Sequence, residues 1–503
     1  MNESRKPIEG IEVGKKRTAL VVDLNNFAHY PTLAVGYLVA ALRNGGYEVR
    51  VLSPLAFRLP TMPERQETWW EYAQRRVFFS THPAIVGMRD VLAAGRRKWL
   101  TRADPRLSAE ASRVIDELRP DVVLLSAYLD FGDAVRDIAQ GAASRGVPVL
   151  LGGPAFNMGK VADEWLRMPG LTAIVAAEVD TSLPQLVDAV LDGADISGFP
   201  GVYLPDQRRG PIAHPLLSMD ALPIPDLVDF PWQLYPNKII PVMTGRGCNW
   251  GNCTFCSDVK VVNGLSFRSR PVEAVLNELE EQATRYKTKD VIFLDIKLNS
   301  DLAMWRGIID GFQDRLPGGR WIGTVHVQAS GENGLTRDEL YAAARAGLTR
   351  MSFGFETGSQ RLNNSMSKGT RIERTSQFLA DAHAAGISVR ATAMLGYPGE
   401  TADDIGETVR FIDSHGHLLD RIRINRFTPL PGTRFHELYE RDPGRFPGVT
   451  DLRWDFRLRR GALRYTPASA PEYRKATVRL LQAVHRINRR PLRPAAAVFD
   501  GLM

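Results

Sequence analysis

Between residues 239 and 440, short apolar runs rich in β-branched residues alternate six times with longer segments of helical periodicity. Such alternation is typical of parallel strands whose helices pack on the outside of the sheet. Six units predict a partial barrel or an open barrel-like sheet, because a closed eightfold barrel needs two more. The predicted strands are Ile239–Met243, Val291–Asp295, Trp321–Val327, Arg350–Phe355, Ser388–Met394 and Arg421–Phe427, and the predicted helices are Val272–Thr284, Leu302–Phe312, Arg337–Ala346, Ile372–Ala385 and Ala402–Ser414.

A second alternating series fills residues 1–194 and predicts a doubly wound, Rossmann-like parallel sheet, so the whole chain is expected to be α/β. Residues 56–107 interrupt this series and are expected to form a helical insertion. Eight prolines in residues 195–238 predict an extended linker before the barrel at 239–440, and residues 441–503 are expected to be helical. The predicted N-terminal strands are Thr18–Asp23, Tyr47–Leu52, Asp121–Ser126, Val147–Leu151 and Leu171–Ala176, with helices at Leu33–Arg43, Ala134–Ala143 and Leu183–Leu191.

The charge of the chain does not point to nucleic acid. The net charge is +7, but the arginines are scattered along the sequence and form no basic run. The first residues contain no apolar signal core, and no segment is apolar enough to span a bilayer. We therefore expect a cytoplasmic protein that binds neither nucleic acid nor membrane.

All three cysteines of the chain, Cys248, Cys253 and Cys256, fall on one short segment after the first predicted barrel strand. An odd number in so short a window excludes a disulfide framework, and structural buried thiols would be scattered. Structural zinc takes four protein ligands, whereas this segment has no fourth Cys and no neighbouring His. Three thiolates can ligate three irons of a [4Fe–4S] cluster and leave the fourth iron open.

The segment Thr244-Gly-Arg-Gly-Cys248-Asn-Trp-Gly-Asn-Cys253-Thr-Phe-Cys256 resembles the cluster-binding motif of the radical S-adenosylmethionine (SAM) superfamily. Its gaps are four and then two residues, where three and two are usual. Some cobalamin-associated members are similar in having the longer first gap after an Arg-Gly-Cys sequence. The resemblance implies that Phe255 lies near the adenine of SAM.

Further segments resemble the same superfamily in the order that its barrel requires, and the resemblance covers residues 239–440. It implies a polar SAM-side group at the end of the second strand and a Glu and Ser near the ribose and methionine after the fourth strand. It also implies a turn near the adenine after the fifth strand, with an Arg that meets the SAM carboxylate. The corresponding residues are Asp295, Glu356, Ser359, Arg390 and Met394.

The N-terminal domain is similar to the cobalamin-binding domain of B12-dependent radical SAM enzymes. In a doubly wound sheet, ligands bind beyond the carboxyl ends of the strands. No Gly-x-Gly-x-x-Gly follows the first strand, which excludes a dinucleotide fingerprint, and no Asp-x-His-x-x-Gly motif supplies a lower axial His. The alternative is a degenerate domain that binds nothing. The expected cobalamin-binding residues are Leu33, Ser126, Tyr128, Gly152, Gly153, Pro154 and Glu178.

The resemblance implies a cobalamin-dependent radical SAM methyltransferase that acts on an unactivated carbon of a small molecule or peptide, in natural-product or antibiotic biosynthesis. Its cofactors would be a [4Fe–4S] cluster, SAM and cobalamin, and its electron donor a flavodoxin or ferredoxin. A rearrangement or cyclisation with the same cofactors is the alternative. A methylthiotransferase would need three further Cys, and a cobalamin carrier would leave the cysteines unused. No catalytic residue is assigned, and His326, Arg423 and Asn425 either face the cavity or are barrel residues with satisfied polar groups.

Overall fold

The structure is a computed structural model that describes residues 16–24, 29–54, 66–89, 91, 105–257, 267–329, 332–446, 449, 452, 454–455, 462–463 and 468–502. Within these ranges the chain forms two separate six-stranded sheets, each covered by helices. No helix among the described residues combines the length and the apolar character that crossing a bilayer requires.

The first sheet is doubly wound, as the sequence predicts. Its strand order is β2-β1-β3-β4-β5-β6, and all neighbours are parallel except β6, which pairs antiparallel with β5. The sequence did not predict β6, because two residues inside a proline-rich segment give no periodic signal. The strands are β1 (Thr18–Asp23), β2 (Glu48–Leu52), β3 (Val122–Ser126), β4 (Val149–Gly152), β5 (Ala173–Val175) and β6 (Val202–Tyr203).

Helices cover both faces of this sheet. Alternate residues of its strands are therefore buried in two separate apolar clusters, one on each face. Of the predicted insertion at 56–107, residues 69–79, 83–89, 91 and 105–107 are helical, and residues 56–65, 90 and 92–104 lie outside the described ranges. The helices are α1 (Leu33–Asn44), α2 (Trp69–Phe79), α3 (Pro105–Leu118), α4 (Gly132–Ala143), α5 (Gly159–Trp165) and α6 (Leu183–Leu191).

The second sheet has the order β14-β13-β12-β11-β10-β7 and is parallel throughout, so the six predicted barrel strands are confirmed. Strands β7 and β14 are its edges, which makes it a partial barrel with a lateral opening. The remaining strands are β7 (Ile240–Val242), β8 (Gly245–Arg246), β9 (Arg268–Ser269), β10 (Asp290–Phe293), β11 (Arg320–Val325), β12 (Leu348–Glu356), β13 (Ser388–Leu395), β14 (Arg421–Arg426), β15 (Trp454–Asp455) and β16 (Ala462–Leu463).

The outer face of this sheet packs on helices, whereas its inner face carries polar residues on β12, β13 and β14. Register places Ser352 of β12 beside Arg390 of β13 and Thr392 of β13 beside Arg423 of β14. The intervening residues of these strands belong to the helix-covered core. The helices are α7 (Val272–Tyr286), α8 (Leu302–Arg315), α9 (Arg337–Arg345), α10 (Gln360–Ser365), α11 (Ile372–Ala384), α12 (Ala402–His415), α13 (Arg434–Arg441) and α14 (Pro471–Asn488).

The C-terminal segment fills one end of the inner face. A 3₁₀ turn at Pro494–Phe499 buries Phe499 and the nearby Leu502 against isoleucines at the start of the barrel. The fully buried Arg350 donates hydrogen bonds of 2.7 Å to the carbonyl oxygens of Ala496 and Phe499. The described part of residues 441–503, predicted to be helical, contains the 18-residue helix Pro471–Asn488, but it also contains the antiparallel pair β15 and β16 and this buried segment.

Candidate functional site

The three predicted cluster ligands lie on one loop at the carboxyl end of the first barrel strand. Each cysteine is half-buried, and none forms a disulfide. Thr254 anchors the loop to the barrel, because its backbone N–H donates to the Met366 carbonyl oxygen at 2.9 Å. The indole N–H of Trp250 donates to the Ser367 carbonyl oxygen at 3.0 Å. The segment that follows α10 therefore forms the support of the cysteine loop.

Two buried lysines give this loop electropositive surroundings. The ammonium group of Lys297 donates to the Asn249 side-chain oxygen at 2.7 Å. Burial lowers the pKa of Lys297, whereas the nearby Cys248 and Cys253 act to raise it. Burial also disfavours the charge of Lys368, but Glu356 and the cysteines outweigh it and raise its pKa. Burial raises the pKa of Cys253, and Lys368 acts in the opposite direction. Nearby cations of this kind favour the thiolate form that ligates iron.

Among the described residues, no group of three or more His, Cys, Asp or Glu side chains is placed to hold a single metal ion. A cubane cluster differs from a single ion because its three protein thiolates bind three different irons. The assignment of Cys248, Cys253 and Cys256 to a cluster therefore remains a prediction from their spacing, their common loop and their surroundings.

Asp295 holds the start of the cysteine loop. Its buried carboxylate accepts the Thr244 hydroxyl at 2.7 Å and the Gly245 backbone N–H at 2.9 Å. Burial raises the pKa of Asp295 to about 6, although these donors act in the opposite direction. The protein itself thus gives Asp295 its hydrogen-bond partners, and the predicted contact with SAM remains a prediction.

The structure brings Phe255, Glu356 and Met394 together. Glu356 ends β12 with φ 62° at an irregularity in the register, and Lys368 pairs with its carboxylate at 3.1 Å. The Glu356 carboxylate and the Lys368 ammonium occupy the space that a side chain at Gly354 would fill, so a larger residue there would displace this pair. The Lys368 ammonium lies 5.7 Å from the centre of the Phe255 ring, and Met394 packs against the same apolar cluster as Phe255.

Ser359 and Arg390 are not part of this group. The Ser359 hydroxyl donates to Asp404 at 2.6 Å and also caps α10. The Arg390 guanidinium donates to the carbonyl oxygen of Leu502 in the C-terminal segment. Both side chains therefore have partners within the protein, and their predicted contacts with SAM remain predictions.

The three candidate cavity residues divide into two kinds. His326 is buried, its Nε2 lies 2.9 Å from the Lys368 carbonyl oxygen, and its ring stacks on Trp250. Burial, with Lys368 and Lys297 nearby, lowers the pKa of His326 to about 3, so it is neutral and belongs to the wall behind the loop. Arg423 and Asn425 are exposed on the edge strand β14.

Most of the predicted cobalamin residues share the carboxyl edge of the first sheet. Ser126 and Gly152 are register partners at the ends of β3 and β4, and Tyr128 is 48% exposed beyond them. At Gly153, φ is 147° and a Cβ would overlap the Ala127 carbonyl group, so only glycine fits. Pro154 begins the following 3₁₀ turn. Leu33, buried at the start of α1, follows β1 on the same edge.

Glu178 differs from these residues because its carboxylate points to the barrel domain. It accepts two hydrogen bonds from Arg268, at 2.7 and 3.0 Å, and one from the Leu216 backbone N–H at 2.8 Å. Its predicted contact with cobalamin remains a prediction. Sequence reasoning missed Arg268, because it lies 90 positions from Glu178 and a single sequence carries no signal for so distant a pair.

Glu400 was also missed, although it lies in the turn that follows β13. Its buried carboxylate accepts the Tyr473 hydroxyl at 2.5 Å and the Gly396 backbone N–H at 2.6 Å. Burial raises its pKa to about 7 despite these two donors. The available signal was a Glu directly after a Tyr-Pro-Gly turn, because such a turn leaves backbone N–H groups that need a hydrogen-bond acceptor.

We expect Glu400→Gln to remove part of the pH dependence of stability. The folded pKa of Glu400 lies above its unfolded value, so its protonation stabilises the fold at low pH, and this contribution is lost as pH rises to about 7. The loss is at most about 3 kcal/mol. Urea unfolding midpoints at pH 5 and pH 8 should thus differ less in the variant than in the wild type. Glu407→Gln, on the helix α12 that follows this turn, is the control, and equal pH dependence in both variants would contradict this role.

The candidate site thus consists of a loop with three cysteines at the carboxyl edge of a partial barrel, beside a doubly wound sheet. Residues 242–412 match the radical SAM superfamily. The protein therefore contains a radical SAM domain.

The chain is 26% identical over 338 residues to an uncharacterized methyltransferase of Pyrococcus horikoshii, which covers 65% of this chain and 71% of that protein. Its fold is similar to that of the radical SAM methyltransferase TsrM from Kitasatospora setae, solved with cobalamin and a [4Fe–4S] cluster bound. That match has a TM-score of 0.63 at 18% identity and covers 87% of this chain and 77% of TsrM. For the cobalamin-dependent SAM radical enzyme OxsB, solved with aqua-cobalamin and SAM bound, the TM-score is 0.67 at 16% identity, with 92% of this chain and 66% of OxsB covered. The two-sheet fold is thus similar to the folds of TsrM and OxsB.

Proposed function

We propose that the protein is a cobalamin-dependent radical SAM methyltransferase. The observation that carries this proposal is the position of the cysteine loop, which lies at the carboxyl edge of the barrel and is ion-paired to the carboxyl edge of the first sheet. These are the two edges at which barrels and doubly wound sheets bind their ligands.

The residues present fit a [4Fe–4S] cluster. Cys248, Cys253 and Cys256 would hold it, with Lys297 and Lys368 stabilising the thiolates. Three ligands leave one iron free for SAM. Phe255, Glu356 and Met394 would then contact SAM from the adjacent strand ends, and Asp295 would keep the loop in place through Thr244 and Gly245.

The edge of the first sheet fits a large planar ligand. Gly152 has nothing but the Val175 carbonyl oxygen within 4 Å of an added Cβ, and Gly153 brings the backbone close to this edge. Leu33, Ser126, Tyr128 and Pro154 complete the surface that would hold cobalamin, and the largely exposed Tyr128 ring offers an apolar face.

When bound, the cluster and SAM supply a radical that abstracts hydrogen from carbon, and cobalamin supplies a transferable methyl group. The protein's own residues bind, orient and shelter these groups. At the lateral opening, Thr392, Arg423 and Asn425 would contact the substrate, and bound substrate would shield the inner face from water. Neutral His326 would form an uncharged wall beside the loop.

We further propose that the substrate is a small molecule or peptide with an unactivated carbon, processed in natural-product biosynthesis, and that a flavodoxin or ferredoxin donates the electron. The methyltransferase relative supports methyl transfer over a rearrangement or cyclisation. The polar inner face supports a substrate with hydrogen-bonding groups.

The test is anaerobic reconstitution with iron, sulfide and hydroxocobalamin, followed by incubation with SAM and dithionite. We expect one cluster and one cobalamin per chain by metal analysis. Mass spectrometry should detect 5′-deoxyadenosine together with S-adenosylhomocysteine. Cobalamin with 5′-deoxyadenosine alone would favour the rearrangement, a cluster without cobalt would contradict the assignment of the first domain, and absence of iron would contradict the whole proposal.

A further inference from the structure

Four charged side chains join the first sheet to the cysteine loop, of which Asp180 and Arg268 are buried and Glu178 and Arg246 are largely buried. Arg246 donates two hydrogen bonds of 2.8 Å to the two carboxylate oxygens of Asp180. Arg268 donates to both oxygens of Glu178, and Arg246 lies 3.5 Å from the same carboxylate. We call Glu178, Asp180, Arg246 and Arg268 the interdomain clamp.

The clamp is charge-neutral and shielded from water. Its side chains are exposed by 17% at Glu178, 9% at Asp180, 10% at Arg246 and 7% at Arg268. Buried ion pairs of this kind add little net stability compared with apolar packing, but paired two-bond geometry fixes the relative position of their backbones. The clamp is therefore better suited to positioning than to stabilising the fold.

The interdomain clamp lies next to two features of the candidate site, the cysteine loop and the carboxyl edge of the first sheet. Arg246 lies two residues before Cys248, and Arg268 is its partner on β9, so the two arginines hold both ends of the cysteine loop. Glu178 and Asp180 follow β5, and β5 pairs with β4, the strand that ends at Gly152. The clamp thus connects the predicted cluster loop with the predicted cobalamin edge through short, buried contacts.

We propose that the interdomain clamp sets the separation between the cluster and cobalamin, and that Arg246 and Asp180 tune the reduction potential of the cluster in opposite directions. This inference rests on the proposed function. Addition of one electron makes the cluster more negative, so a nearby guanidinium favours reduction and a nearby carboxylate opposes it. In the intact clamp the two effects largely cancel.

The experiment uses the reconstituted holoprotein and its variants at pH 8, without any substrate. Redox titration against dye mediators, read by electron paramagnetic resonance, gives the potential of the cluster. Arg246→Gln should lower this potential, Asp180→Asn should raise it, and the double variant should return it towards the wild-type value. A general loosening of the loop would instead move both single variants in the same direction.

Separation is read from the magnetic coupling between the reduced cluster and cobalamin in its Co(II) state. Arg246→Lys keeps the charge but loses the paired geometry, so it should weaken or broaden this coupling while largely retaining the potential. This variant also keeps the test available if Arg246→Gln does not fold. Arg208→Gln removes an exposed ion pair of the same domain and should change neither quantity.

The outcomes separate this inference from the function on which it rests. A wild-type protein that binds no cluster or no cobalamin contradicts the proposed function. Normal loading with unchanged potential and coupling in the Arg246 and Asp180 variants overturns the clamp alone. Equal shifts in the same direction for both single variants overturn the electrostatic part of the inference.

Discussion

Replacing Cys253 by alanine is expected to abolish cluster binding and, with it, all SAM cleavage. The loop supplies three thiolates, and two cannot hold a cubane cluster with one open iron. Ligands that act as one unit are not additive, so Cys248→Ala and Cys256→Ala should be as damaging as the triple variant. Iron content and 5′-deoxyadenosine after reconstitution measure both effects, and the product should fall by several orders of magnitude, to the level of a protein-free control.

The matched control lies on the same loop. Asn252 is exposed directly before Cys253, and its side-chain oxygen accepts a surface hydrogen bond of 2.9 Å from Arg434. Asn252→Ala should therefore load a full cluster. Retention of cluster and SAM cleavage by any single cysteine variant would mean that a different residue ligates the third iron. Equal loss in Asn252→Ala would mean that loop disruption rather than ligation explains the effect.

Replacing Arg350 by leucine is expected to release the C-terminal segment from the barrel. The guanidinium is fully buried and donates to the carbonyl oxygens of Ala496 and Phe499 at 2.7 Å and of Leu502 at 3.4 Å. Burial lowers its pKa to about 10, but it remains charged near neutral pH. The Phe499 and Leu502 carbonyl oxygens also accept from the Leu502 backbone N–H and from Arg390, so each of them keeps a donor in the variant. Loss of the two 2.7 Å hydrogen bonds from a charged donor should still cost about 3 kcal/mol, which makes opening of this segment about a hundredfold more frequent.

Limited proteolysis measures that opening, with cleavage beyond α14 identified by mass spectrometry. The cleavage rate follows the population of the open form when closing is fast, so it should rise about a hundredfold in the variant. Arg315→Leu, which removes only surface ion pairs with Glu273 and Glu280, should leave the rate unchanged. An unchanged rate in Arg350→Leu would show that apolar burial of Phe499 and Leu502 is sufficient to hold the segment.

The sequence predicted both sheets because parallel strands buried on both faces are continuous apolar runs, and each is followed by a helix. Thr18–Asp23, for example, agrees with β1 in both of its limits. Helix α3 was not predicted although it is 14 residues long, because it adjoins a segment without clear periodicity. The buried position of Phe499 was not predicted either, since an apolar residue near the end of a chain carries no information about its distant partner.

The candidate site was predictable where its residues are close in sequence. The cysteine loop and the pair formed by Phe255 and Glu356 follow from motifs at strand ends. Partners of Glu178, Ser359 and Arg390 were not predictable, because each is set by a contact across 45 to 112 positions. The residues that a motif marks are therefore not all free for a ligand, and several of them stabilise the walls of the site instead.

The pairing of β8 with β9 has a consequence for the supply of iron. Arg246 and Arg268 are register partners on these two strands, so the two ends of the cysteine loop are fixed before any iron binds. Closing a loop of this kind costs roughly 3 kcal/mol of chain entropy by the usual logarithmic dependence on length. Because the β8–β9 pairing closes the loop when the protein folds, cluster binding does not have to supply this free energy. Loss of the cluster to oxygen should therefore leave a folded apoprotein. The cell could refill such a protein with iron and sulfide instead of degrading it and synthesising it again.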